Sequence, residues 1–240
     1  MPWALAGRVG VVTGSSSALG KAITHRLAQQ HSMKVACVSR QSLSDLPPNC
    51  FPFQADLTQA DQCDTLCKTV KAQLGTISVL VNCAGVTQNK LHVRSTTEDY
   101  DFIFDTNVKG GLNITKSVLR HGGLLPAGDG CIVQIGSVVG LHGNGGQVLY
   151  GASKAALSSA VRSWTKEYGS KNIRFNVVAP GLIDGEGMGQ TLTAAQREKW
   201  QAECPLGRLA TVEDVADVVV SLLQCSFVSG QTISVDGGAY

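Results

Sequence analysis

Neither sign of charge dominates this chain. Its 20 Lys and Arg stand against 18 Asp and Glu, a formal net charge of +2 over 240 residues. That balance argues against holding a nucleic acid through bulk charge. Long apolar runs are missing too. The nearest, ADVVVSLLQC (216–225), is too short for a membrane span and follows acidic residues. The opening MPWALAGRVGVV has no basic region, long apolar stretch or small-residue cleavage site, so secretion is not expected. The eight cysteines include no CxxC pair. Cys63 and Cys67 stand one turn apart on an expected helix, but no histidine and no second pair accompany them. The expectation is scattered reduced thiols in an intracellular protein, with no metal site. No repeat, low-complexity tract or linker divides the chain, so one domain over 1–240 is expected.

What is present is an alternation. Short Val- and Ile-rich runs (RVGVVT, KVACVS, CFPFQA, ISVLVN, CIVQIG, IRFNVV, QTISVD) are separated by helix-like segments such as GKAITHRLAQQ and TVEDVADVVVSLLQ. Strands apolar on both faces and spaced by helices predict an α/β fold. The expected architecture is one Rossmann-type, doubly wound parallel sheet of about seven strands with helices on both faces. One crossover is irregular: RQSLSDLPPN (40–49) has adjacent prolines and no helical period. A loop is expected there, leaving that end of the sheet thinly covered.

VVTGSSSALG (11–20) follows the first strand and opens the first helix. Gly14 permits a tight turn, Gly20 permits close packing of helix on strand, and the helix N-terminus offers N–H groups to a pyrophosphate. Alone the motif is weak, since such turns occur without ligands and Ala18 stands where a middle glycine is expected. Asp56, after the third strand, is a candidate acceptor for an adenine amine. NCAG (82–85) ends the fourth strand in small residues, where a ribose and adenine can lie against the backbone. All fall at the carboxyl edge of the sheet, where ligands of doubly wound folds bind. The second strand ends VSRQ, so Ser39 and Arg40 occupy the place of the acid that selects NAD. They suit a 2′-phosphate, which favours NADPH/NADP+, with Asp45 as an acid able to fold back.

At the other end of the motif series, QIGSVVG puts Ser137 at the ligand edge. YGASK puts Tyr150 and Lys154 one turn apart with small residues between, and DTNVKG holds Asn107. With TGSSSALG, NCAG and PG at 180–181, the whole chain resembles the short-chain dehydrogenase/reductases. GSVVGLHGNGGQVLYGASK, NVVAPG, PLGRL and SGQTISVDGG resemble the 3-oxoacyl-[acyl-carrier-protein] reductases within them, and LHVRSTTEDY the mitochondrial carbonyl reductase four type.

The resemblance implies a catalytic set of Asn107, Ser137, Tyr150 and Lys154. Tyr150 would protonate the carbonyl oxygen, and Ser137 would hydrogen-bond it. Lys154 would hold the nicotinamide ribose and draw the phenol pKa towards neutrality. Asn107 would anchor water in a proton relay. Around the phosphates it implies coenzyme contacts from Gly14, Ser16, Ser17, Leu19 and Gly20. Along the adenosine they come from Ser39, Arg40, Asp56, Leu57, Asn82, Ala84 and Gly85. At the nicotinamide they come from Tyr150, Lys154, Pro180, Gly181 and Ile183.

Three departures stand out. Ser17 replaces an arginine common in NADP-using relatives. LIDGEGM after PG lacks the family's coenzyme-binding Thr, leaving Thr191 or backbone amides as substitutes. RHGGLLPAGDG replaces a shorter basic run, leaving Arg120, His121 and Lys171 for an acidic acyl carrier protein. The segment 184–205 is expected to form a substrate lid. The implied substrate is an acyl thioester, with quinones, steroids or small carbonyls as alternatives. A non-catalytic subunit is a further alternative, against which the intact tetrad argues. Apolar helix surface beyond what the sheet needs implies a homotetramer, or a heterotetramer with a homologous subunit. The expected compartment by resemblance is the mitochondrial matrix, with the cytoplasm as the alternative.

Overall fold

A computed structural model describes residues 2–240, apart from the side chains of Met188 and Thr191. The strands are β1 (Val9–Thr13), β2 (Lys34–Ser39), β3 (Cys50–Gln54), β4 (Ile77–Asn82), β5 (Gly130–Ile135), β6 (Ile173–Pro180) and β7 (Thr232–Val235). They form one sheet in the order β3-β2-β1-β4-β5-β6-β7, parallel throughout. The helices are α1 (Ala18–His25), α2 (Ala60–Leu74), α3 (Thr97–Phe104), α4 (Gly110–Arg120), α5 (Leu124–Ala127), α6 (Val139–His142), α7 (Val148–Tyr168), α8 (Ala194–Glu203) and α9 (Val212–Gln224).

Both faces of the sheet are covered, which is why β1, β4, β5 and β6 are buried along their whole length. On one face Val12, Val35, Val79 and Val133 meet Ile23 of α1 and Val215, Val219 and Leu223 of α9. On the other, Val11, Ala36, Leu80 and Ile132 meet Leu66 of α2, Ile114 and Val118 of α4, and Val161 of α7. Each such Val, Leu or Ile side chain contributes roughly 1.5–3 kcal/mol on burial. The period-2 alternation has one interruption. Val9 pairs with Ile77 but Gly10 pairs with Val79, so Ser78 is an extra residue, its Oγ donating to the Val9 carbonyl at 3.3 Å. This bulge turns Ile77 to the α2/α4 side while Val79 and Val81 stay on the α1/α9 side.

The irregular crossover is a loop, as its prolines imply. Asp45 and Asn49 take left-handed φ values of 55° and 63°, no helix forms over 40–49, and β3 is half exposed. From β1 the chain winds outward through β2 and β3, then returns to build β4 to β7 on the other side. The carboxyl ends of β1 and β4 therefore flank the switch point where a crevice opens.

Candidate active site

The β1–α1 turn is built around two glycines that nothing larger can replace. Gly14 has φ +68°, and a Cβ there would lie 2.9 Å from Ala84 Cα. A Cβ on Gly20 would lie 2.2 Å from the Gly14 carbonyl oxygen. The backbone thus approaches NCAG closely enough to form the floor of a cleft. Ser17 is the N-cap of α1, its Oγ accepting the Gly20 N–H at 3.0 Å. The Ala18 N–H donates to Glu186 Oε2 at 3.3 Å, and the Leu19 N–H takes no acceptor among the described residues. This is the anion-receptive end of a helix with no acid in its own first turn.

The cleft has two adjoining lobes, of about 240 and 140 Å³, with Ser17, Cys83, Gly85 and Val86 on the wall between them. Gly14, Ser16, Ser39, Arg40, Leu57 and Ala84 line the smaller lobe. Arg40 is exposed, and its guanidinium makes none of the ion pairs found among the described residues. Asp45 lies on the exposed crossover and lines neither lobe, so the acidic alternative finds no support.

Three expected contacts are not among the residues lining the cleft. Asp56 turns its carboxylate on the Thr58 N–H and hydroxyl, at 3.0 and 2.9 Å, shaping the turn into α2. Asn82 is buried inside the sheet, accepting from Thr13 Oγ1 at 2.6 Å and donating to Gln134 Oε1 at 2.7 Å. Gly20 packs against Gly14 and donates its N–H to Ser17 Oγ, and it lines neither lobe. Thr191, the expected substitute for the missing family threonine, has a side chain outside the described residues.

In the larger lobe Ser137, Tyr150 and Lys154 share one wall with Leu19, Pro180, Gly181 and Ile183. Ser137 Oγ accepts the Val139 N–H at 3.2 Å, which leaves its own proton free to donate. Burial pushes the Tyr150 phenol above the ordinary tyrosine pKa, while its hydrogen bond with Ser137 pulls the other way. Burial draws Lys154 down to about 8, with nearby Cys83 acting in the opposite sense. Its Nζ donates to the Ile135 carbonyl at 2.8 Å and lies 5.8 Å from the Tyr150 ring centroid. The ammonium faces a backbone carbonyl, and desolvation is the largest influence on both groups.

Asn107 is wholly buried in a π-turn (Asp105–Lys109) that joins α3 to α4. Its Oδ1 accepts the Val86 N–H at 2.8 Å, and its Nδ2 donates to Val86 O and Ser153 Oγ at 2.9 and 3.0 Å. Ser153 Oγ in turn donates to the Tyr150 carbonyl at 2.7 Å. Both amide protons are used, so what the geometry gives Asn107 is a clamp holding the NCAG loop to the Tyr150 helix. Its side chain thus acts as a positioning group.

Several lining residues carry roles that the motifs do not spell out. Cys83 sits between Ser17 and Lys154 on the shared wall, its thiol pushed up to about 11 by burial. Gln147, buried before α7, donates to Thr87 Oγ1 and Asn89 Oδ1 and so ties the post-β4 loop to the Tyr150 helix. Leu182, Trp200, Leu209 and Tyr240 make an apolar outer wall. Cys83, Gln147, Leu182 and Leu209 fall inside the quoted motifs NCAG, GSVVGLHGNGGQVLYGASK, LIDGEGM and PLGRL, whereas Trp200 and Tyr240 carry no sequence signal.

Among the described residues no cluster could hold a metal, and no helix is long and apolar enough to cross a membrane. Gly122, beside Arg120 and His121, bonds the start of β4. Those residues, with Lys171 before β6, therefore lie at the edge of the sheet opposite Tyr150.

A family model described as enoyl-(acyl carrier protein) reductase matches residues 14–240. The chain is 38% identical to the 3-oxoacyl-[acyl-carrier-protein] reductase FabG of Thermotoga maritima, over 98% of each protein. It is 37% identical to carbonyl reductase family member 4 of Danio rerio, over 96% of this chain and 97% of that protein. The solved structure of ElxO with NADP bound superposes with a TM-score of 0.89 at 26% identity, covering 97% of this chain and 98% of that one. The glycine turn under a two-lobed cleft, the Ser137–Tyr150–Lys154 wall and these matches agree: the chain belongs to the short-chain dehydrogenase/reductase family and is an NAD(P)-dependent oxidoreductase.

Proposed function

We propose that the protein uses NADPH to reduce the keto group of a 3-oxoacyl thioester to a hydroxyl. The observation that carries this reading is the convergence of the Ser137 and Tyr150 hydroxyls in the larger lobe, with a buried Lys154 beside them. The fit of the coenzyme is supported by the floor that a Cβ on Gly14 would fill, by the free Leu19 N–H and by the unpaired Arg40. Gly14 and Leu19 would hold the diphosphate, and Ser39 and Arg40 the 2′-phosphate. When bound, NADPH supplies the hydride that reaches the carbonyl carbon.

The chain's own residues manage the oxygen. A phenol held above its ordinary pKa keeps its proton at neutral pH. Tyr150 therefore presents Oη–H to the carbonyl oxygen and gives up that proton as negative charge builds there. Ser137, whose Oγ already accepts from Val139, directs its hydroxyl proton to the same oxygen and stabilises the developing charge. The Lys154 ammonium supplies positive potential next to the phenolate left behind. Asn107, through Val86 and Ser153, fixes both walls so that these groups meet one atom.

The Thermotoga and Danio relatives support a keto substrate, and the apolar wall of Leu182, Trp200 and Leu209 suits an acyl chain. The test is a panel of 3-oxoacyl thioesters, carrier-bound and free, with enoyl thioesters, quinones and small ketones, each with NADPH and NADH. Turnover highest with a 3-oxoacyl thioester and NADPH is expected. Turnover confined to enoyl thioesters or small ketones would overturn the substrate assignment.

A further inference from the structure

The segment 184–205 is fastened at both ends and bears one charge that reaches across the cleft. Ile183 and Ala210 form a parallel bridge, closed by the Asp184 N–H donating to Ala210 O at 2.8 Å and the Ala210 N–H to Leu182 O at 3.2 Å. Between these fastenings run a 3-10 turn (Gly187–Thr191) and α8, whose Trp200 lines the larger lobe. The segment thus leaves and rejoins the body at one point, as a flap must.

Glu186 stands near the start of this flap between Gly185 and Gly187, both with left-handed φ (+70° and +49°). Its carboxylate lines the larger lobe and takes the Ala18 N–H at the head of α1, 168 residues away in sequence. It is also close enough to Cys83 to push that thiol up. It therefore sits as an anion among the groups that the proposed function assigns to the coenzyme diphosphate. Two anions cannot share one helix N-terminus without strong repulsion.

We propose that Glu186 is a latch: before coenzyme binds, its carboxylate holds the 184–205 flap against the N-terminus of α1, and coenzyme binding releases it. The inference rests on the coenzyme site proposed above. It also gives a reason for an acid in LIDGEGM, where relatives carry a coenzyme-binding threonine. The flanking left-handed glycines let the acid swing out while the Ile183–Ala210 bridge keeps the flap in register. Glu186 is a positioning residue in this account, since it touches the coenzyme's place and not the reacting atoms.

The test uses the full chain, with wild type, Glu186→Gln and Glu186→Ala compared in two measurements that need no substrate. NADPH affinity is read by fluorescence titration, and flap exposure by the rate of tryptic cleavage after Arg197 and Lys199 in free protein. Removing an anion from a helix N-terminus of this kind should tighten NADPH binding by about three- to tenfold in the alanine variant, with glutamine between. Cleavage of the free variants should be faster than of wild type. Unchanged or weaker NADPH binding in both variants, or unchanged cleavage, would overturn the latch. Wild type that binds neither NADPH nor NADH would overturn the latch and the coenzyme reading together, so the two failures are distinct.

Discussion

Lys154 holds its ammonium 5.8 Å from the ring centroid of Tyr150, yet gives its hydrogen bond to the carbonyl of Ile135. One helical turn sets the spacing, and the small residues Gly151, Ala152 and Ser153 keep the intervening wall low. The buried cation is the chemically expensive feature of this fold.

That burial makes a stability prediction. Lys154 falls from an ordinary 10.5 to about 8 in the folded chain, so folding favours its neutral form. The penalty is full below about pH 8, shrinks as pH rises and vanishes above the unfolded value. Lys154→Met should therefore raise stability at pH 7 by about 1–3 kcal/mol and raise the melting temperature, while activity is lost. Thermal melts at pH 7 and pH 10 should show the gain shrinking at the higher pH. A variant less stable than wild type at pH 7 would contradict it.

The same group sets a limb in the rate profile. Reduction needs Tyr150 protonated and Lys154 charged. Burial holds the phenol protonated beyond the ordinary tyrosine range, whereas the ammonium is lost near pH 8. Plotted against pH, kcat/KM for reduction should be level through neutrality and fall with an apparent pKa of about 8. A profile flat to pH 10 would remove Lys154 from the account.

Much of the above was legible in the sequence because it rests on local rules. Strands apolar on both faces, adjacent prolines at 47–48, glycines at 14 and 20, and a tyrosine and lysine one turn apart all read through short-range geometry. What was not legible depended on distant partners. Asn82 sits in a coenzyme-like motif but bonds Thr13 and Gln134 inside the sheet, and Asp56 serves its own turn. Glu186 meets Ala18 only because the flap folds back over α1. The phenol's raised pKa depends on burial that no spacing reveals.

Coenzyme choice is expected to lie with Arg40. Arg40→Asp replaces a free guanidinium at the cleft wall with a charge that repels a 2′-phosphate. The ratio of NADPH to NADH affinity should fall by about 10- to 100-fold, the worth of a charged hydrogen bond. Titration of both coenzymes against wild type and variant checks this. An unchanged ratio would assign the selection elsewhere.

We propose that the protein assembles through its outer helices. Phe102 of α3 is 50% exposed and Val148 of α7 is 49% exposed, and α3 packs beside α7. Sedimentation at micromolar concentration should show a dimer or tetramer, and Phe102→Glu should weaken it. A wild-type monomer would contradict the assembly without touching the chemistry.

The central claim is that Tyr150 is the acid, and single-turnover hydride transfer to a 3-oxoacyl thioester by Tyr150→Phe tests it most directly. The variant keeps the ring and removes only the transferable proton, so NADPH affinity should change little while the rate falls at least ~100-fold. Hydride transfer at a near-normal rate in Tyr150→Phe would contradict the account.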